Sequence, residues 1–254
     1  REEKMKTYLA DATGNTFLLA DCLKETFDCK EFLLNLLKIE DRDDALIITD
    51  PIECKGALSV SMHVLGQDGE FAEFCANGSR AISAYLHSYY PHFKNYFIRS
   101  KRGIHAIKKY PEECYSITLP RPGYDINPLF ISNEEDFKRS YDFKYVEMIE
   151  PHLVLKGNVD DETLFVLGQD LNRNKVLFPR GININAWHEL KNGDYYVKTY
   201  ERGVQRLTLS CGTGSLSCAS LLSKKDMTFK TNGGKLRIIL KENELELIGK
   251  ARIL

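Results

Sequence analysis

Two short stretches of this chain share a pattern that can do chemistry. Phe74-Cys75-Ala76-Asn77-Gly78-Ser79 lies in the first half and Ser210-Cys211-Gly212-Thr213-Gly214-Ser215 in the second. In each, a cysteine precedes small residues and then an apolar run of helical character. A free thiol titrates near ~8.5, and a helix N-terminus favours the thiolate because backbone N–H dipoles point at it. The glycines leave bare N–H groups aimed at one spot, which suits a carboxylate. Two such helix starts facing one cavity would clamp an α-carboxylate and hold one sulfur on each face of the α-carbon. One thiolate would remove the α-proton and the other thiol would return it from the opposite side. Cys75 and Cys211 are therefore the candidate base and acid. For Cys22, Cys29, Cys54, Cys114 and Cys218 the expected state is an inert buried side chain.

Other polar residues stand in positions that would serve such a site. Asn15 lies in Gly14-Asn15-Thr16-Phe17, His152 follows Pro151 ahead of an apolar run, and Glu201-Arg202-Gly203 ends a strand-like segment shortly before Cys211. Each alone reads as a turn residue, a satisfied strand-end histidine or a solvated ion pair of little worth. Beside two matched cysteines they favour a site.

The elements that must hold these residues are legible in part. Strand-like runs fall at 7–10, 17–20, 45–49 and 57–62, and Phe32, Leu33, Leu36 and Leu37 give one apolar face to a helix over 30–37. The run 80–87 after Cys75 predicts a buried helix, followed by strands at 96–99, 104–108 and 115–119. Pro120-Arg121-Pro122-Gly123 is the strongest punctuation and marks a domain boundary. Strands are expected again at 145–148, 153–155 and 195–200, a second buried helix at 217–222, and strands at 235–240 and 245–248. The cysteines lie about half the chain apart with the same strand–turn–helix order around each. An internal duplication accounts for that better than a coincidence of two glycine turns.

Bulk properties narrow the function. With 254 residues, 43% of them hydrophobic, the chain can fill one large core or two of middling size. A formal net charge of −1 gives no electrostatic footprint for nucleic acid. Apolar runs are too short to cross a membrane, and the charged start shows no leader. Arg1 to Lys4 read as an appendage before a natural start at Met5. The seven cysteines are an odd number without a CxxC or a zinc spacing, which points to free thiols in the reducing cytoplasm.

Taken together, Gly14-Asn15-Thr16-Phe17, Cys75-Ala76-Asn77-Gly78-Ser79-Arg80, Pro151-His152, Phe178-Pro179 with Ile182-Asn183, Glu201-Arg202-Gly203, Cys211-Gly212-Thr213-Gly214 and Gly233-Gly234-Lys235-Leu236 resemble the diaminopimelate epimerase family, nearly end to end. The resemblance implies an α/β fold of two pseudo-symmetric domains, each a curved sheet wrapped around a central helix, with the active site in the cleft between them. It implies a first domain over 5–120 carrying Cys75, joined by a returning strand at about 248–254, and a second over 121–247 carrying Cys211. It also implies a cofactor-independent isomerase, without pyridoxal phosphate or metal, that inverts an amino-acid α-carbon. For the family that reaction is LL- to meso-diaminopimelate, in lysine and peptidoglycan biosynthesis. By the same resemblance Cys75 and Cys211 are the two bases, with His152 and Glu201 tuning them. Asn15 would contact the substrate amino group, while Asn77, Gly78, Gly212, Thr213 and Gly214 would hold its α-carboxylate. The partner is a small amino acid, neither nucleic acid nor membrane, and a homodimer is left open.

The match breaks where the family reads the far end of its substrate. Gly66 and Glu150 stand where it usually has Asn, and Ala45 where it has Gln, whereas Asn183 and Arg202 are kept. A carboxylate at Glu150 would repel a distal carboxylate unless Arg202 neutralised it. The alternative substrate is then another amino acid, for example histidine or lysine. Phenazine-type relatives lack the cysteine pair, and proline racemases match the Pro-His and Glu-Arg-Gly contexts less well. A non-catalytic amino-acid-binding protein of the same fold is the alternative of another class.

Overall fold

The computed structural model describes residues 5–24, 30–122 and 143–254. The expectations placed on Arg1 to Lys4, on Cys29 and on Gly123 lie outside these residues. The chain is mixed α/β and divides into two compact units, Arg1–Thr118 with Ile248–Leu254, and Leu119–Leu247. Among the described residues no helix is long and apolar enough to cross a membrane.

The first unit begins with an antiparallel pair, β1 (Lys6–Ala12) and β2 (Asn15–Asp21), joined by a turn in which Thr13 and Gly14 both take positive φ. Helix α1 (Lys30–Ile39) crosses over to β3 (Asp44–Cys54), which runs parallel to β2 and pairs antiparallel with β4 (Ala57–Gly66). Leu33 and Leu37 of α1 are buried, but Phe32 stays half exposed, so the apolar face is narrower than its spacing predicts. After the short β5 (Phe71–Ala72), α2 (Ala76–Tyr89) crosses to β6 (Asn95–Ser100), parallel to β4. β7 (Gly103–Tyr110) and β8 (Cys114–Pro120) continue the meander. The last strand, β16 (Glu244–Ile253), pairs with β8 and, through Ala251 to Ile253, with β1. The strands thus close into a ring, which removes the open edges that an eight-strand sheet would otherwise present. Helix α2 packs against β1, β2, β3, β6 and β7, and every residue from Ala76 to Leu86 is buried. A helix apolar on all sides requires such an interior.

The second unit repeats the order. β9 (Phe143–Met148) and β10 (Glu150–Lys156) are antiparallel, α3 (Asp161–Arg173) crosses to the parallel β11 (Asn183–Glu189), and β12 (Tyr195–Glu201) returns antiparallel. After the short β13 (Arg206–Thr208), α4 (Gly212–Ser220) crosses to β14 (Asp226–Thr231), parallel to β12. β15 (Gly234–Leu240) and the start of β16 complete the sheet. All nine residues of α4 are buried, against β9, β10, β11 and β15.

Three sequence expectations need correction. Helix α3 was not anticipated, although Asp160 caps it, Asp161 and Glu162 favour its positive end, and Leu164, Leu167 and Leu171 fall on one face. The buried helix expected at 217–222 starts at Gly212 instead. The glycines thus form the helix's own first turn, and the cysteine is its cap. Cys22 and Cys218 are buried, whereas Cys114 is only partly buried and Cys54 is exposed, so these two do not fit the expected buried state.

Candidate active site

In the first unit Cys75 is the N-cap of α2, with extended backbone at φ −142° and ψ 112°. Gly78 donates its N–H to Cys75 Sγ at 3.2 Å. The sulfur thereby does what a serine oxygen does at an ordinary cap, accepting from one of the first-turn N–H groups that have no helical partner. Gly78 is closely confined there. A Cβ would lie 2.6 Å from Leu46 Cδ2 and 3.4 Å from Cys75 Sγ.

A directed row of polar side chains runs away from this cap. Asp43 accepts from Thr16 N–H (2.8 Å), Thr16 Oγ1 (3.0 Å) and Asn15 Nδ2 (3.1 Å). Asn15 Oδ1 accepts from Asn77 Nδ2 at 3.3 Å, and Asn77 Oδ1 accepts from Arg80 Nη2 at 2.5 Å. A carboxylate can only accept and a guanidinium only donate, so the two ends fix both amide orientations between them. Cys75, Asn77, Gly78 and Asn15 are therefore gathered at one place. Asp43, Arg80 and Thr13 join them and carried no assigned role in the sequence reading. The signal for Arg80 was a cation inside an otherwise apolar helical run.

Of the candidates for reading the substrate, Ala45 lies apart from this group, whereas Gly66 pairs with Asp44, next to Asp43. Ala45 is fully buried in an apolar layer with Leu33 and Leu37 of α1, on the face of β3 opposite Leu46. Strand alternation therefore turns it away from the α2 cap. Gly66 ends β4 in a turn closed by Gly66 N–H to Glu70 O, with Asp68 Oδ1 2.8 Å from where a Cβ would sit.

The second unit builds the same cap. Cys211 is the N-cap of α4 at φ −120° and ψ 113°, and Gly214 donates its N–H to Cys211 Sγ at 3.4 Å. Thr213 Oγ1 lies 3.5 Å from the same sulfur. Gly214 is pressed onto Asn185, where a Cβ would stand 2.2 Å from Oδ1 and 2.9 Å from Thr199 Oγ1. Thr199 Oγ1 donates to Asn185 Oδ1 at 2.9 Å, and Asn185 Nδ2 donates to His152 Nδ1 at 2.9 Å. His152 Nε2 then carries the ring proton. It is buried and has no hydrogen-bond partner among the described residues. Burial drives the His152 imidazolium down to about 3, opposed by the Asn185 bond and assisted by the positive charge of Arg202. The ring is neutral at ordinary pH. Asn185 and Thr199 escaped the sequence reading because a polar residue inside a strand carries no periodic signature.

Beyond His152 the row continues. Asn183 donates to Pro151 O at 3.3 Å and accepts from Arg202 N–H at 3.0 Å. The Arg202 guanidinium bonds to Glu150 Oε2 and to Arg180 O. Glu150 is buried and pairs with Arg202, whose side chain is partly exposed, and it also faces the Arg180 cation. Glu201, at the end of β12, accepts from Thr208 Oγ1 at 2.5 Å.

No family model matches the chain. Curated relatives do. A diaminopimelate epimerase of Methanocella arvoryzae is 27% identical over 92% of this chain and 89% of its own length. One of Flavobacterium psychrophilum is 27% identical, covering 96% and 90%. One of Thermotoga maritima is 28% identical, covering 95% and 96%. Among solved structures, a phenazine biosynthesis protein of the PhzF family from Enterococcus faecalis matches with a TM-score of 0.70 at 17% identity, over 98% of this chain and 96% of that one. A hydroxyproline epimerase from Agrobacterium vitis matches at 0.68 and 11%, over 100% and 92%. The structural likenesses establish the fold.

Proposed function

We propose that this chain, an isomerase similar to the diaminopimelate epimerases, inverts an amino-acid α-carbon by proton transfer between two thiols, Cys75 and Cys211. One observation carries the reading. Both cysteines cap a buried helix, and each sulfur accepts the N–H of a glycine three residues on. A thiolate at such a cap faces the positive end of the helix. It takes the α-proton, so a C–H bond breaks as an S–H bond forms. The thiol of the second cysteine then gives its proton to the opposite face of the carbon. No electrons are gained or lost, and the product is the mirror configuration at that carbon. The developing carbanion is the hard part. First-turn N–H groups of Asn77, Gly212 and Thr213 hold the α-carboxylate and answer the negative charge spreading onto it, while Gly78 and Gly214 give theirs to the sulfurs. Asn15 contacts the amino group. His152 and Glu201 position the thiols, His152 as a neutral Nε2–H donor.

Diaminopimelate is the first substrate on kinship. The Glu150–Arg202 pair bears on a second reading, an amino acid whose far end is not a carboxylate, for example histidine or lysine. Arg202 has already spent its charge on Glu150, leaving little to attract a distal carboxylate. A non-catalytic binding role is the remaining possibility, and one assay separates all three. The protein is incubated in deuterated water with LL- and meso-diaminopimelate, lysine and histidine, and α-deuterium is followed by NMR. Label enters one substrate class, and Cys75→Ser and Cys211→Ser each abolish it. Full turnover in either variant sinks the two-thiol reading, and no label in any amino acid leaves only a binder.

A further inference from the structure

Arg80 is a cation in the second turn of α2, within the stretch Ala76 to Leu86 that is buried throughout, and its own exposure is 0%. Burying a guanidinium costs several kcal/mol unless its donors are met and its charge is answered. Its donors are partly met. Nη1 donates to Thr13 Oγ1 at 2.9 Å and to Lys250 O at 3.1 Å, and Nη2 donates to Asn77 Oδ1. Nε has no partner among the described residues. All three bonded acceptors are neutral, and neutral acceptors alone do not require a charged partner. A glutamine would satisfy much of that network at far lower desolvation cost. The fold nevertheless keeps a full positive charge in the helix whose cap is Cys75, bonded to the residue two positions beyond that cysteine.

We propose that Arg80 is a positioning residue for the Cys75 half of the reaction: its fork locks Asn77 at the helix start, and its fixed charge holds Cys75 as the thiolate. The inference rests on the reading of Cys75 as one of the two bases. Burial draws the guanidinium down to about 10, so it stays charged at neutral pH, and the attraction of Cys75 is the largest effect opposing that fall. The titratable groups facing it are Cys75 at the cap, Cys114 on β8 and Asp11 on β1, while Lys250 offers only its backbone carbonyl. The Asn77–Asn15–Asp43 row takes its direction from the same guanidinium. Loss of Arg80 would release Asn77 and weaken the placing of Asn15.

Residue-resolved alkylation of Cys75 tests this without relying on turnover. Iodoacetamide modification of the whole protein is followed by peptide mass spectrometry from pH 5 to 10, for the parent, Arg80→Gln and Arg80→Lys. One opposite charge nearby shifts a titration by about one unit or more. Arg80→Gln is therefore expected to slow Cys75 alkylation at pH 7 by ~10-fold and to move its midpoint upward. Arg80→Lys keeps the midpoint near that of the parent but loses α-deuterium exchange, because one ammonium cannot replace the fork on Asn77. An unmoved midpoint in Arg80→Gln, or equal behaviour of the Gln and Lys variants, overturns the proposal. Should Arg80→Gln fail to fold, Arg80→Lys decides alone, and α-deuterium exchange equal to the parent's overturns the proposal. If instead Cys75→Ser retains full exchange, the reading of Cys75 as a base fails while the alkylation profiles still report on Arg80.

Discussion

His152 and Arg80 are both fully buried and both titratable, and the fold treats them in opposite ways. Arg80 keeps its charge with Cys75 as the group that most opposes its loss, while His152 is held neutral with Asn185 on one nitrogen and, among the described residues, no hydrogen-bond partner on the other. That difference has a consequence for acid stability. The folded-state value for His152, about 3, lies below the ordinary ~6.5 of an unfolded histidine. The neutral buried ring therefore contributes its full share of stability above pH ~6.5, and that share is lost as pH falls toward 3. The loss is up to about 1.4 kcal/mol for each pH unit in that window. His152→Gln cannot gain a proton, so its urea midpoint is expected to fall less between pH 7 and pH 5 than that of the parent. Parallel pH dependence in the two proteins would show that His152 is not buried as a neutral group. Glu150 and Arg202 belong to the same scale. A carboxylate that reads from the sequence as repulsive unless Arg202 neutralises it is paired with Arg202.

Among elements, the first turn of each capped helix is the feature most exposed to a single substitution. Gly78 and Gly214 both give their N–H to a cysteine sulfur, and both leave no room for a methyl group. The two clashes differ in kind. At Gly78 the obstacle at 2.6 Å is the end of the Leu46 side chain, which can turn. At Gly214 it is Asn185 Oδ1 at 2.2 Å, fixed by Thr199 and His152 through hydrogen bonds. Overpacking of a rigid site costs ~1–3 kcal/mol, less where a side chain can swing aside. Gly214→Ala should therefore lower the unfolding free energy more than Gly78→Ala does, measured by urea titration, and also displace Asn185 from His152. Equal or negligible effects would mean that the Asn185 row yields easily. The crossovers repeat in the same order in both units, strand–α1–strand then strand–α2–strand, and strand–α3–strand then strand–α4–strand. Helix α3 is thus the counterpart of α1, and a duplication read from the cysteines alone could have called for it.

For the molecule as a whole, the strand Glu244–Ile253 begins in the second unit and ends in the first. Its last residues close the ring by pairing with β1, and Lys250 O accepts from Arg80. Removing Ile248–Leu254 would open two strand edges, at β1 and β8, and leave Arg80 short of an acceptor. The truncated protein is expected to lose hydrogen-exchange protection in β1, β8 and α2 and to melt at a lower temperature. Undiminished protection in those elements would refute the closing role. The sequence by itself determined the cysteine pair, the buried helices behind them, the repeat and the mixed α/β class, because thiols, glycines and apolar periodicity are local signals that survive without neighbours. Only tertiary structure decided the row from Asp43 to Arg80, the row from Thr199 to His152, the burial of Ala45 beneath α1 and the closing of Glu150 onto Arg202. Each joins residues far apart along the chain or turns on which face of a strand is covered. A polar side chain's partner is set by what the fold brings within about 3 Å of it, and no spacing along the chain encodes that distance.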